Sequence, residues 1–410
     1  MTDTLRINTD RLLTRINQVN AIGALPGGGN RRLALTDEDR DARDLLARWM
    51  KQEHLAIQVD EVGNMYGLRS GSGSVPALAI GSHLDTVSTG GRYDGTYGVI
   101  AALEVISVLN DRNVKSRKPL VLINFTNEEG ARFTPDMMGS LVASKPSLRD
   151  SVWKAKDLTG NGTTVKEELK RIGYLGKVRP GSIQIDQYLE LHIEQGPVLE
   201  REKTDIGVVE KVQGIFWTEY ILTGQAAHAG TTPLAMRKDP GLMASRINVH
   251  LRGLAEVISG QLGTVGLLEH YPNAINVVPE RVRIITDLRN PDMKSLTTAQ
   301  EQLDSFIRQE AAGSGIAVQR TEQVRLAPVD FSTEVVRQVE DSAMRLGLST
   351  RLMVSGAGHD AQMMAAVAKA AMIFVPSVNG ISHNEKEYTA PQDLVNGANV
   401  LLGAVMAIAR

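Results

Sequence analysis

The run Leu120–Phe125 (LVLINF) constrains the fold more than any other segment of the chain. Six largely apolar residues suit a strand buried on both faces, and such a strand requires helices above and below it. The neighbouring segments meet that requirement. Leu5, Ile7, Leu12, Leu13, Ile16 and Val19 recur at roughly helical spacing, and Gly23–Asn30 (GALPGGGN) ends the pattern. Thr36 has the chemistry of an N-cap, with Asp39 in the first turn and Ala42, Leu45, Leu46, Trp49 and Met50 as the apolar stripe behind it. Ala56–Val59, Asn64–Leu68 and Val75–Ile80 read as strands around the turn Ser70–Ser74, and Gly98–Leu109 as an apolar helix. This alternation predicts an α/β fold with a mostly parallel sheet flanked by helices.

A polar stretch over 155–182 carries the helical segment Val165–Ile172, and Tyr188–Leu191 reads as a further strand. From 214 the texture changes. Ile215–Thr223, Thr264–His270 and Val282–Leu288 alternate as strands, while Ala244–Ile258 and Leu296–Ala312 have helical periodicity. Two helices on one sheet predict an inserted α+β domain over 214–329. From 331 the β/α texture returns, with helices Thr333–Leu346 and Asp360–Ala370, strand Ala371–Val375 and a terminal helix Gln392–Ala409. Residues 1–213 and 330–410 are expected to form one discontinuous domain around that insert.

At 410 residues the chain has length for two or three domains, taking roughly 100–200 residues for each. Lys and Arg number 45 against 47 Asp and Glu, a balance that argues against nucleic acid or an anionic membrane as partner. The N-terminal residues lack the apolar core of a signal peptide. The longest apolar stretches, Met363–Val375 and Val400–Ala409, fall short of the ~20 residues needed to span a bilayer. A soluble cytoplasmic protein is the expectation. The absence of cysteine excludes disulfides, thiolate zinc sites and a cysteine nucleophile, so any metal here is held by His, Asp and Glu.

Four segments place polar residues where buried strands end. GSHLDTV puts His83 and Asp85 two residues apart after Val75–Ile80, so that on extended backbone both point to one side. His83 then serves as a metal ligand and Asp85 as the acceptor of its other ring N–H. GGRYDGTYGV sets Asp94 among glycines. NFTNEEG follows Leu120–Phe125 with Glu128 and Glu129, adjacent carboxylates that repel unless a cation or a proton is shared. LHIEQG brings His192 to another strand end, and SHNEKE adds His383.

Each segment alone has an ordinary explanation: a hydrogen-bonded His, a turn Asp, an exposed helix start. Yet five of the eight histidines, His83, His192, His228, His359 and His383, fall in Gly-flanked segments after apolar runs. The set predicts Asp94 shared between two metals, with His83 and His192 on one and Glu129 and His383 on the other. Three imidazoles and two carboxylates suit a pair of Zn2+-like ions with a bridging water. Mn2+, Co2+ or Ni2+ would suit the same ligands.

GSHLDTV, GGRYDGTYGV, NEEGARF, LHIEQG, HAGTTP, INVVPE, DLR, SGAGHDA and SHNEKE, in that order, resemble the di-zinc peptidase and amidohydrolase family of aminoacylases and carboxypeptidase G-like enzymes. Within it the chain is most similar to the branch of N-carbamoyl-L-amino acid hydrolases, β-ureidopropionases and allantoate amidohydrolases, which His192 in LHIEQG favours. The resemblance implies a di-zinc exopeptidase-like catalytic domain. It implies two divalent ions per subunit on His83, Asp94, Glu129, His192 and His383, with Glu128 as catalytic base. It also implies that 214–329 is a lid and a homodimerisation domain.

On the substrate side, an Arg with an Asn nearby makes a carboxylate clamp, because the guanidinium fork matches two oxygens. The resemblance gives that role to Asn276 and Arg289, places Gln195 near the scissile group, and makes His228 an oxyanion stabiliser reaching across a dimer interface. Gly358, in the loop Gly356–His359, is expected to line the pocket. The expected reaction is metal-dependent hydrolysis of a linear C–N bond, first of all that of an N-carbamoyl-L-amino acid. Allantoate, a β-ureido acid and an N-acyl amino acid stay open as substrates, as does a non-catalytic binding role. There is no GxSxG elbow, and the glycines at 27–29 lack the GK[ST] of a P-loop.

Overall fold

Leu120–Phe125 is a strand in which all six residues are buried. The computed structural model describes residues 5–410 and contains two units, one of residues up to Glu210 with Phe331–Arg410, the other Lys211–Asp330. In the first unit the sheet order is Ala56–Val59, Met65–Arg69, Leu120–Phe125, Ala77–His83, Ile185–Ile193, Lys369–Val375 and Ile206–Val212, with Thr350–Ser355 also paired to the last. The four strands from Leu120–Phe125 to Lys369–Val375 pair in parallel. The pairs made by Met65–Arg69 and Ile206–Val212 on either side of them are antiparallel.

Helices cover this sheet, as the doubly buried strand requires. Thr96–Asp111 is buried from Thr96 to Leu109 and packs on Ala77–His83 and Ile185–Ile193, with Thr9–Asn20 and Pro391–Ile408 against it. Met138–Ser144 and Asp360–Met364 pack on one another, the former also on Leu120–Phe125 and the latter on Ile185–Ile193. Thr36 caps Asp37–Gln52 by accepting the backbone N–H of Asp39. The register sets His83 beside Phe125 and Ile193 beside Val375. The carboxyl ends of the parallel strands therefore open side by side, where α/β sheets bind their ligands. No helix among the described residues is long and apolar enough to cross a membrane.

The helix expected over Asp360–Ala370 stops at Met364, and the chain enters a strand at Lys369. Its alanines favour helix, but pairing with Ile185–Ile193 buries Ala370–Val375, and that burial decides the outcome.

The second unit has its own core. Its antiparallel sheet runs Ala317–Leu326, Gly214–Thr223, Arg281–Asn290, Leu262–Tyr271. The helices Pro240–Val257 and Met293–Ser314 bury Ile247, Leu251, Leu296 and Leu303 with Tyr220, Ile284 and Leu288. A separate short pairing joins Ala227–His228 to Val277–Val278.

Arg43 links the helix Asp37–Gln52 to the strand end that leads into Glu128. Its fully buried guanidinium pairs with Asp39 at 2.9 Å and donates to the Gly63 carbonyl and the Thr126 hydroxyl. Arg43→Met leaves Asp39 buried without its partner and should lower the unfolding free energy by about 3–5 kcal/mol. Equilibrium urea denaturation checks this, and an unchanged midpoint would show that the pair contributes nothing net.

Candidate metal centre

His83 is the last residue of its strand, and its Nδ1 lies 2.9 Å from the backbone carbonyl of Asp85. The Asp85 carboxylate does not make that bond, contrary to the expectation from spacing. The strand ends at His83, so the two-residue alternation does not extend to Asp85. Its two oxygens instead face the backbone N–H groups of Glu128 and Glu129, 3.3 Å from each. Asp85 thus orients the turn that carries both glutamates. Asn127, at φ 55, secures the same turn by donating its side-chain amide to the carbonyls of Phe133 and Pro135.

His192 lies one residue before the end of Ile185–Ile193, with Nδ1 2.9 Å from the Ile193 carbonyl. Both rings therefore turn Nε2 toward Asp94, which sits in the loop before Thr96–Asp111. Gly95 follows it at φ 59, where a side chain would overlap the His83 imidazole. Only glycine satisfies both demands.

Asp94 stands between two groups of donors. Its Oδ1 is 3.0 Å from His192 Nε2 and 3.7 Å from His83 Nε2. On the other side, His383 Nε2 is 3.2 Å from Asp94 Oδ2 and 3.3 Å from Glu129 Oε2. Tetrahedral ligands about 2.0–2.1 Å from Zn2+ lie about 3.4 Å from one another. Both groups have that spacing, and within each the donor atoms all lie within 4.8 Å of one another. The chemistry of the donors fits two divalent cations sharing Asp94. Glu128 belongs to neither group, although its Oε2 is 3.4 Å from His83 Nε2.

The electrostatics point the same way. Burial, reinforced by the neighbouring carboxylates, pushes Glu128 and Glu129 well above the usual carboxylate range. Burial also acts upward on Asp94, but hydrogen bonds from His192 and His383 hold it well below that range. His83, desolvated, falls to about 4, whereas Asp94 outweighs burial at His192 and raises it to about 9. A buried cluster of this kind neutralises itself with protons, and a bound cation takes their place.

Gln195 joins the centre: its Nε2 donates to Asp94 Oδ2 at 2.9 Å and lies 3.2 Å from the Ser382 hydroxyl, while its Oε1 is buried without a hydrogen-bond partner. Gly358 borders Met137 and Gln362. Beside it His359 is buried, its ring 4.6 Å from that of His192. His228, Asn276 and Arg289 lie in the second unit. His228 is exposed and accepts the N–H groups of Gly230 and Thr231 on Nδ1, which leaves Nε2–H as its donor. Asn276 is its neighbour, the Asn276 carbonyl accepting from Ala229. Arg289 lies on the strand Arg281–Asn290 and pairs with Asp287 of that strand at 2.8 Å.

Two further acids of the site, Glu190 and Glu387, do not stand out in the sequence pattern. Glu190 accepts the Ser82 hydroxyl at 2.7 Å and the Ala361 N–H at 2.8 Å, linking the His192 strand to the segment after His359. An acid inside the apolar run YLELHI was the available signal.

Comparison with known proteins defines the class. The model of peptidase family M20/M25/M40 matches residues 79–407. The chain belongs to that family. Over 407 residues it is 39% identical to an N-carbamoyl-L-amino-acid amidohydrolase of Rhizobium meliloti, covering 98% of this chain and 97% of that one. An allantoate amidohydrolase of Bacillus subtilis is 33% identical, with 94% of each covered. A crystal structure of a hydantoinase/carbamoylase-family amidase from Burkholderia multivorans superposes with TM-score 0.94 at 41% identity, covering 99% of this chain and 98% of that one.

Zn2+ or Mn2+ added to metal-free protein should raise its thermal midpoint, since a ligand at about 100 times its Kd stabilises the folded state by about 2.7 kcal/mol. Asp94→Asn should remove most of that rise, because Asp94 faces both donor groups. An undiminished rise in scanning calorimetry would contradict the sharing.

Proposed function

We propose that the chain is a metal-dependent amidohydrolase that cleaves the ureido C–N bond of an N-carbamoyl-L-amino acid, giving the amino acid, CO2 and ammonia. The observation that carries this reading is Glu128: a buried carboxyl group beside, but outside, the two donor groups that share Asp94. The 39% identity to a carbamoylase over nearly the whole chain supports the substrate class. We assign two divalent ions to His83, Asp94, Glu129, His192 and His383, Zn2+ first, with Mn2+, Co2+ or Ni2+ as alternatives. When bound, such a pair polarises the carbonyl and lowers the pKa of water toward ~7.

This chain's residues do the rest. Glu128, oriented through the Asp85–Glu128 backbone contact, takes the proton of the attacking water and returns it to the departing ammonia. The carbamate left on the amino acid then loses CO2. His228, its proton on Nε2, donates to the tetrahedral oxyanion; one such donor is worth about 3 kcal/mol in the transition state. Asn276 and Arg289 hold the substrate carboxylate, with Arg289 exchanging Asp287 for it. Gln195 and Gly358 line the site, Asp85 holds the turn of the base, and 214–329 serves as lid and homodimer interface. We place the enzyme in the cytoplasm.

Metal-reconstituted protein should release ammonia from N-carbamoyl-L-amino acids faster than from allantoate or a β-ureido acid, and should release no carboxylate from N-acyl amino acids. Faster turnover of allantoate would reassign the substrate within the same chemistry, and release of an acyl carboxylate would overturn it. Glu128→Gln should keep its metal while losing nearly all turnover; Glu129→Gln should lose metal, as elemental analysis of the two variants decides. Arg289→Ala should weaken kcat/KM by about 2–5 kcal/mol for carboxylate substrates and far less for their amides. Equal losses on both would remove Arg289 from the clamp.

A further inference from the structure

Glu387 lies four residues beyond His383, 2% exposed, and is part of neither donor group. Its Oε1 accepts the backbone N–H groups of Tyr93 at 2.8 Å and Asp94 at 3.2 Å, and its Oε2 accepts the Ser382 hydroxyl at 2.8 Å. One carboxylate thus clasps the loop that carries Asp94 to the loop that carries His383, between residues 294 positions apart in the chain. Gly91 makes room for it: a side chain there would overlap the Glu387 carboxylate. The two halves of the centre differ in their need for such a clasp. His83 and His192 sit on buried strands, whereas the His383 side chain is half-exposed, on loop backbone at φ 52.

The geometry points to Glu387 as a positioning residue of the metal centre, holding the His383 side at working distance from the His83–His192 side through Tyr93, Asp94 and Ser382. This rests on the metal pair proposed above. Without the clasp, Asp94 and His383 lose their common frame. The ion between Asp94, Glu129 and His383 is then weakened, while the one between His83, Asp94 and His192 keeps its strand-borne ligands.

Calorimetric titration of metal-free protein with Mn2+ tests this, with the thermal midpoint of each metal-free variant measured alongside. Wild type should take up two equivalents. Glu387→Ala should bind the first nearly as wild type does and the second about 10–100-fold more weakly. Gly91→Ala, which keeps the carboxylate but displaces it, should give the same pattern with a midpoint near that of wild type. Glu387→Gln retains an acceptor for Tyr93 and Asp94 and should fall between. In the double variant Gly91→Ala/Glu387→Ala the new methyl meets no carboxylate, so binding should be no weaker than in Glu387→Ala alone. Wild-type binding of both equivalents in all variants, equal weakening of both, or loss of folding in both Gly91→Ala and Glu387→Gln would overturn the positioning role. A wild type that binds fewer than two equivalents overturns the metal pair instead.

Discussion

The carboxylate of Asp94, placed between imidazoles at 3.0 Å on one side and 3.2 Å on the other, is the interaction on which the rest of the first unit turns. Around it lie Asp85, Glu128, Glu129 and Glu387, acids that would repel one another in a low-dielectric interior. The chain keeps them close by giving Asp85, Asp94 and Glu387 fixed donors. Backbone N–H groups satisfy Asp85 and Glu387, and imidazoles satisfy Asp94. Glu128 and Glu129 each face one imidazole, at 3.4 and 3.3 Å, and at both of them burial and like charge prevail. Those two are the carboxyls with most to gain from a cation or a mobile proton.

Such an arrangement is tolerable only on a stiff support. The four parallel strands supply it, since their register brings His83, the end of Leu120–Phe125 and His192 to one edge. Arg43 bracing Thr126, and Glu190 tying Ser82 to Ala361, extend that support into the loops. Behind the charged edge the same strands bury Leu78, Ile80, Leu122 and Leu189 in a close-packed core.

Much of this is legible in the amino-acid sequence, and for a physical reason. Strands buried on both faces, such as Leu120–Phe125, announce themselves by composition. The polar residues at their ends stand out because nothing in a dry sheet explains them. Ala317–Leu326 is hidden for the opposite reason: mostly exposed at a sheet edge, AVQRTEQVRL interrupts its few apolar residues with Arg320 and Glu322. Contacts that depend on where a strand stops are equally hidden. Spacing alone puts the Asp85 carboxylate on His83, while the chain turns and offers its carbonyl. Glu387 in SHNEKE looks like one more solvated charge until the fold brings Tyr93 to it.

The parallel pairing of Ile185–Ile193 with Lys369–Val375 joins segments that leave the ribosome far apart in time. At about 5–20 residues per second, some ten to forty seconds separate their synthesis. In that interval His83, Asp94 and His192 can be gathered on a sheet still lacking one of its central strands, and His383 does not yet exist. A nascent chain therefore carries one group of donors before the other and before the Glu387 clasp. Chain order alone thus completes the group of His83, Asp94 and His192 well before the group that needs His383.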